Sequence, residues 1–172
     1  IGDLGGAQKA YQRGIELAPS YSSGYQWYGE VLFYEIGDPD QGLPMFERAL
    51  SLDPLSPVVR ITYSSALANA GRLEEAIASS AKLLAENPGL PIATRLQASM
   101  YGQRGDLVQA LRAHDTTIAN EPSEPNLIDK CYTLLQFGAI AEVMRCAEKV
   151  ATSYPKSQNQ IKPSEHAQVS WP

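Results

Sequence analysis

Few side chains in this 172-residue sequence belong to the types that carry out chemistry, and their spacing assembles no reactive group. The histidines are His114 and His166, the cysteines Cys131 and Cys146. A nucleophile or general base needs a second and usually a third group within hydrogen-bond reach. No Ser-His-Asp order, phosphate-cradling loop or metal-ligand spacing occurs. The opening "GDLGG" is not a GxGxxG and precedes a helical pattern without a strand. "SEHAQ" offers one Glu and one His, too few ligands for a metal. Glu74 and Glu75 fall in a first helical turn, where negative charge opposes the helix dipole favourably, a structural role rather than acid–base work. The cysteines form no CxxC and are too few for a disulfide scaffold, so two free thiols are expected. They nonetheless flank a turn at Gly138 and Ala139 at equal distance, which would put them at similar height on an antiparallel helix pair. The expectation is a non-enzymatic chain with no cofactor and no metal.

Charge and hydropathy narrow the partners. Fourteen basic and nineteen acidic residues are interspersed, for a net charge of −5. That is the opposite of a nucleic-acid footprint, so no direct nucleic acid binding is expected. No apolar run approaches the roughly 20 residues that cross a bilayer, so no membrane insertion is expected either. "IGDLGGAQKA" has neither the charged nor the apolar region of an export signal. A cytoplasmic location is expected, with any targeting segment lying outside a chain that opens mid-pattern.

The elements that must position any site are set by a repeat. Pro19, Pro54, Pro88, Pro122 and Pro155 are spaced by 35, 34, 34 and 33 residues, and Gly37, Gly71, Gly105 and Gly138 by 34, 34 and 33. Each Gly separates two amphipathic segments, as in "RITYSSALANAGRLEEAIASSAKLLAENP", where Ile61, Ser64, Ala68, Leu73, Ala76, Ile77, Ala81 and Leu84 follow helical spacing. Gly allows a left-handed turn between helices, and Pro ends the second helix. The 35- and 33-residue intervals each require a one-residue adjustment near the turn.

Small residues (Ala7, Gly42, Ala76, Ala110) stand twelve before their Pro, with Val143 in the fifth unit. Bulky rings follow four later at Tyr11, Phe46 and His114, with Ser80 and Ala147 instead in the other units. Period, turn Gly, small residue and terminal Pro together resemble the tetratricopeptide repeat. The first-helix pattern of that family is approached by "YQWYGEVL". The resemblance implies an all-α, right-handed superhelix of helical hairpins, working as a protein-interaction scaffold. The expected layout is an array over 1–155, with a half repeat at 1–20 and repeats at about 21–54, 55–88, 89–122 and 123–155. An irregular tail, 156–172, follows. "ALSLDPLSPVV" and "SSGYQWYGEVL" more narrowly resemble arrays attached to bacterial winged-helix regulators and class III adenylate cyclases, which would imply a signalling role with the effector domain elsewhere.

If positions 3, 7, 10 and 11 of each unit face the core, positions 2, 5, 6, 9, 12 and 13 face an inner groove. Carried from unit to unit at an offset of about 34, that face reads Ser23, Gln26, Trp27, Glu30, Phe33, Tyr34; then Val58, Ile61, Thr62, Ser65, Ala68, Asn69. It continues as Ile92, Arg95, Leu96, Ser99, Gly102, Gln103, and ends as Asn126, Asp129, Lys130, Thr133, Gln136, Phe137. The aromatic end and the mixed polar end suit capture of a protein or peptide partner, the rings anchoring and the polar groups setting register. Packing of Trp27, Phe33 and Tyr34 against the neighbouring helix is the competing reading. The Lys/Asn clamp with which some members hold a C-terminal carboxylate is absent: its positions carry Gln26, Glu30, Thr62, Ile92 and Leu96. His114 reads as a core imidazole. A homo-oligomer is the alternative function, formed through the unpartnered opening helix at about 4–18 or through the tail, whose Ile161, Val169 and Trp171 alternate with polar residues.

Overall fold

The protein is described by a computed structural model over residues 3–88 and 90–155. Its described residues form helices and connecting turns without strands: α1 (Leu4–Leu17), α2 (Ser22–Glu30) continuing into a π-helical turn (Val31–Ile36), α3 (Pro39–Leu52), α4 (Pro57–Asn69) and α5 (Leu73–Glu86). Then come α6 (Pro91–Arg104), α7 (Leu107–Asn120), α8 (Glu124–Gln136) and α9 (Ile140–Ser153). Each helix packs on the next, and α2, α4, α6 and α8 also lie side by side in sequence, so the chain is an all-α solenoid: one leading helix and four hairpins. The helices starting at Ile140 and Leu73 lack side-chain caps. Five of the others begin under Asp3, Asp38, Ser56, Asp106 and Ser123, whose side chains accept from the first-turn N–H groups at 2.8 to 3.4 Å.

The punctuation works as its chemistry dictates. Ala18, Asp53, Asn87, Glu121 and Tyr154 cap the C-terminal ends of α1, α3, α5, α7 and α9, and each is followed by a Pro. A residue before Pro is barred from the helical region, and these caps sit near φ −135°, so the chain leaves the helix there. Within hairpins, Gly37, Gly71, Gly105 and Gly138 take φ of 69° to 84°, a region that penalises a Cβ.

The two irregular intervals are absorbed differently. The extra residue between Pro19 and Gly37 becomes the π-helical turn directly before Gly37. The missing residue is lost from the joint instead: Ser123 caps α8 directly after Pro122, whereas Ser56 and Leu90 stand two residues after their prolines. From α8 onward the true offset is 33, which turns its faces by about 100° relative to an offset of 34.

The core runs along the hairpins, with Leu32, Phe46, Leu67, Leu83 and Met100 fully buried. Ala76 and Ala110 are fully buried at their close approaches. Gly42 goes further: a Cβ there would lie 2.8 Å from Phe33 Cβ and 3.0 Å from Phe33 N, so the π-helical turn rests on this glycine. Phe33 and Phe46 meet edge to face at 6.3 Å. At the joint after α3, buried Arg60 donates from Nε to the Pro54 carbonyl at 2.6 Å and pairs through its guanidinium with Glu86.

Candidate functional site

Two of the clefts along the first helices gather the expected groove residues. The larger, of about 480 Å³, is built from three of them and floored by a fourth element: Ile61 and Ser65 from α4, Ile92, Arg95, Leu96 and Ser99 from α6, Asp129, Tyr132, Thr133 and Gln136 from α8, and His114 from α7. Its lining mixes the apolar Ile61, Ile92, Leu96 and Tyr132 with polar groups contributed by all three helices. Arg95 Nε stands 4.0 Å from Asp129 Oδ2 with both side chains nearly half exposed, a loose pair that leaves both charges open to a ligand.

The second cleft, of about 400 Å³, lies at the other end between α1, α2 and the π-helical turn, and is lined by Tyr11, Trp27, Glu30, Val31, Tyr34 and Glu35. Trp27 and Tyr34 remain 46% and 48% exposed, so they do not pack away. Phe33 does, with 9% exposure, which divides the competing reading for these three rings. Asn69 links the ends, donating from Nδ2 to the Tyr34 hydroxyl at 3.5 Å and to the Ser65 carbonyl at 2.9 Å. Partial burial, followed by the nearby Glu30 charge, raises the Tyr34 phenol above its ordinary value despite the Asn69 bond, so the ring stays neutral.

The residues expected to face the groove therefore fall into distinct sets. Ile61, Ser65, Arg95, Ser99, Asp129 and Thr133 share the larger cleft; Trp27, Glu30 and Tyr34 share the aromatic one. Gln26 is buried, outside that lining, and donates to Glu30 at 3.2 Å. Thr62 is half-buried and bonds to the Val58 and Val59 carbonyls. Gln103 is exposed on α6 and lines neither cleft. Asn126 is buried, donating to the Glu121 carbonyl at 2.8 Å. Lys130 faces the opposite side, pairing with Asp115 and lining a separate depression with Glu142, Arg145 and Lys149. The cause is the residue lost at the joint: at an offset of 33 the α8 equivalent of Leu96 is Asp129, and that of Ser99 is Tyr132.

Sequence reasoning missed Tyr132, 64% exposed in the cleft, and His114 as a cleft-floor residue. Counting from the α8 cap at Ser123 instead of from the repeat length would have found Tyr132. The His114 ring is buried, as expected of a core imidazole, with Nε2 2.9 Å from Thr133 Oγ1. Burial pushes its pKa below the ordinary value, with smaller charge effects from Asp129 and Asp115 opposing the shift and one from Lys130 adding to it.

The expectation of two free thiols is overturned. Cys131 on α8 and Cys146 on α9 form a disulfide with Cα atoms 5.6 Å apart. Equal distance from the Gly138 turn did place them at one height, and register also aimed them at each other. Among the described residues no group of three or more His, Cys, Asp or Glu could hold a metal, and no helix is long and apolar enough to cross a membrane. His166 and the tail residues Ile161, Val169 and Trp171 lie outside the described residues.

Comparison with known proteins agrees with the helical-repeat fold. Residues 34–100 match the family described as tetratricopeptide repeat. An 84-residue stretch is 34% identical to the TPR repeat-containing thioredoxin TTL4 of Arabidopsis thaliana, covering 49% of this chain and 12% of that protein. A 132-residue stretch is 23% identical to the human protein O-mannosyl-transferase TMTC1, covering 77% of this chain and 15% of that protein. The chain thus spans less than a sixth of either curated relative. Among solved structures, a crystal structure of MamA superposes with a TM-score of 0.74 at 20% identity, over 94% of this chain and 88% of the other, which shows the shared fold.

Proposed function

From the premise that this chain is a tetratricopeptide repeat array, we propose that it is a non-enzymatic scaffold that captures a segment of a partner protein along its concave side. The observation carrying this reading is the larger cleft, assembled from side chains of three successive first helices, with apolar and polar groups side by side and an open Arg95–Asp129 pair in its lining. An extended or helical segment laid across the hairpins would bury Ile92, Leu96 and Tyr132 and satisfy both charges at once. The groove then comprises Trp27, Glu30, Tyr34, Ile61, Ser65, Asn69, Arg95, Ser99, Asp129 and Thr133, with Gln26 and Thr62 outside the cleft linings. The test is an affinity capture from source lysate with the parent chain, a Trp27→Ala/Tyr34→Ala variant and an Arg95→Ala/Tyr132→Ala variant. A specific protein retained by the parent and lost with either variant supports the groove; equal retention by all three rules it out.

Self-association is the second reading, favoured by apolar side chains left uncovered at both ends of the described array. Leu4 and Leu17 are exposed on α1, which buries no residue, and Leu135, Ile140 and Met144 on the last hairpin. Sedimentation that shows a single monomeric species from micromolar to millimolar chain eliminates it. The narrower regulator or cyclase reading is tested by the full-length gene product, which would carry a winged-helix or cyclase domain. The expected cytoplasmic location and the Cys131–Cys146 bond pull in opposite directions, because disulfides persist in oxidising compartments. Thiol alkylation at the moment of cell lysis decides between them: cysteines that resist alkylation until they are reduced place the chain in an oxidising compartment.

A further inference from the structure

The aromatic cleft has a chemistry of its own. Three rings, from Tyr11, Trp27 and Tyr34, and two carboxylates, Glu30 and Glu35, line a space of about 400 Å³ with no basic group among them. Neither carboxylate enters an ion pair among the described residues. Glu30 is held by an amide, the Gln26 Nε2. On α1, the helix packed against this cleft, Arg13 is engaged by Glu16 at 2.7 Å, and neither Arg13 nor Lys9 reaches the lining.

The placement is imposed by the fold. The extra residue of this unit, taken up as the π-helical turn, is what sets Tyr34 and Glu35 where they stand, and the turn is pinned from behind by the Gly42 backbone contact with Phe33. Such one-residue insertions into helices are frequent at functional sites. Tyr21 meets Trp27 edge-on at 6.1 Å and holds the indole, leaving it half exposed. Aromatic faces carry negative quadrupole charge, so they and the carboxylates act on an incoming group with the same sign.

We propose that this cleft binds a cationic side chain of the partner segment, with a guanidinium stacked on Trp27 and Tyr34 and its N–H groups donating to Glu30 and Glu35. Arginine fits better than lysine, because a planar fork can stack on a ring and serve a carboxylate simultaneously. The site is the charged counterpart of the larger cleft, whose Arg95 and Asp129 leave it without net charge. The inference rests on the groove-capture reading for its source of arginine, but the cleft's chemistry can be tested alone.

The probe is N-acetyl-arginine amide added to the uniformly 15N-labelled full chain, with N-acetyl-citrulline amide as its neutral isostere and N-acetyl-lysine amide as a third arm. The signal is the Trp27 indole N–H, assigned by its loss in Trp27→Phe, with the Trp171 indole as internal reference. The expected result is a saturable shift at Trp27 in the ~millimolar range with arginine, about tenfold weaker with citrulline and intermediate with lysine. Glu30→Gln/Glu35→Gln should weaken arginine binding by about tenfold while the remaining spectrum stays native, and Arg95→Gln should leave it unchanged. Equal shifts with arginine and citrulline, or no saturable shift, overturns the cation site. That outcome leaves the groove-capture reading standing on its own experiment.

Discussion

Replacing Gly42 with Ala tests the close approach that organises the first full hairpin. The added Cβ would lie 2.8 Å from Phe33 Cβ, 3.0 Å from its N and 3.1 Å from its Cα, against a comfortable carbon separation of about 3.5 to 4 Å. Two of the three obstructing atoms are backbone, so no rotamer change relieves the overlap, and the upper part of the usual ~1–3 kcal/mol cost of overpacking applies. Ala returns about 1 kcal/mol through its better helix propensity, for a net loss of about 1–2 kcal/mol. At roughly 2–4 °C per kcal/mol for a chain of this length, the far-UV circular dichroism midpoint should fall by about 2–8 °C. Gly14, inside α1 with nothing within 4 Å of a built Cβ, is the matched control, because Gly14→Ala gains the propensity without the clash. Its midpoint should stay level or rise by up to about 4 °C. A Gly42→Ala midpoint at or above the parent would refute the reasoning, as would an equal fall in Gly14→Ala.

Reduction of Cys131–Cys146, which closes a 15-residue separation, should destabilise the α8–α9 hairpin by about 3 kcal/mol in urea unfolding; a parent indifferent to reductant contradicts this. His114 predicts an acid-side loss. Its pKa is depressed in the folded chain, so the unfolded chain takes the proton first, and stability is flat above the unfolded value of about 6.5 and falls as pH drops below it. His114→Phe should therefore show a smaller midpoint decrease than the parent between pH 7.5 and 5.5; parallel decreases would exclude the imidazole as the cause. Arg60→Leu removes the donor to the Pro54 carbonyl and the partner of Glu86, both of which solvent can reach, and should cost about 1–2 kcal/mol by chemical denaturation, mostly through the lost bonds of the buried guanidinium. Arg13→Ala, which breaks an exposed pair, should cost under about 1 kcal/mol. Equal effects of the two would show that burial does not set the value of the Arg60 pair.

The fold was legible because its punctuation is local chemistry. A Pro after each second helix and a Gly within each hairpin act on their own backbone dihedrals, so five prolines and four glycines sufficed to place the joints. The site was legible where the repeat keeps its length, as at Ile61, Ser65, Arg95 and Ser99. At α8 it was legible in part, Asp129 and Thr133 lining the cleft while Lys130 does not, because the total interval of 33 residues does not say where the missing residue lies. Located at the joint, it rotates Lys130 out and Tyr132 in. The extra residue in the second unit had the same ambiguity, and only the backbone revealed a π-helical turn placing Glu35 beside Trp27. The disulfide needed register as well as height, and register is a tertiary quantity.

Capture on the concave side is tested most directly by site-specific photo-crosslinking, with a benzophenone amino acid placed singly at Tyr34, Tyr132 and Val108. The first two line the clefts, whereas Val108 is exposed on α7 and lines neither. Irradiation in source lysate should give one discrete adduct shared by the Tyr34 and Tyr132 positions and none at Val108. An adduct at Val108, with none at the two tyrosine positions, would place the partner outside the groove.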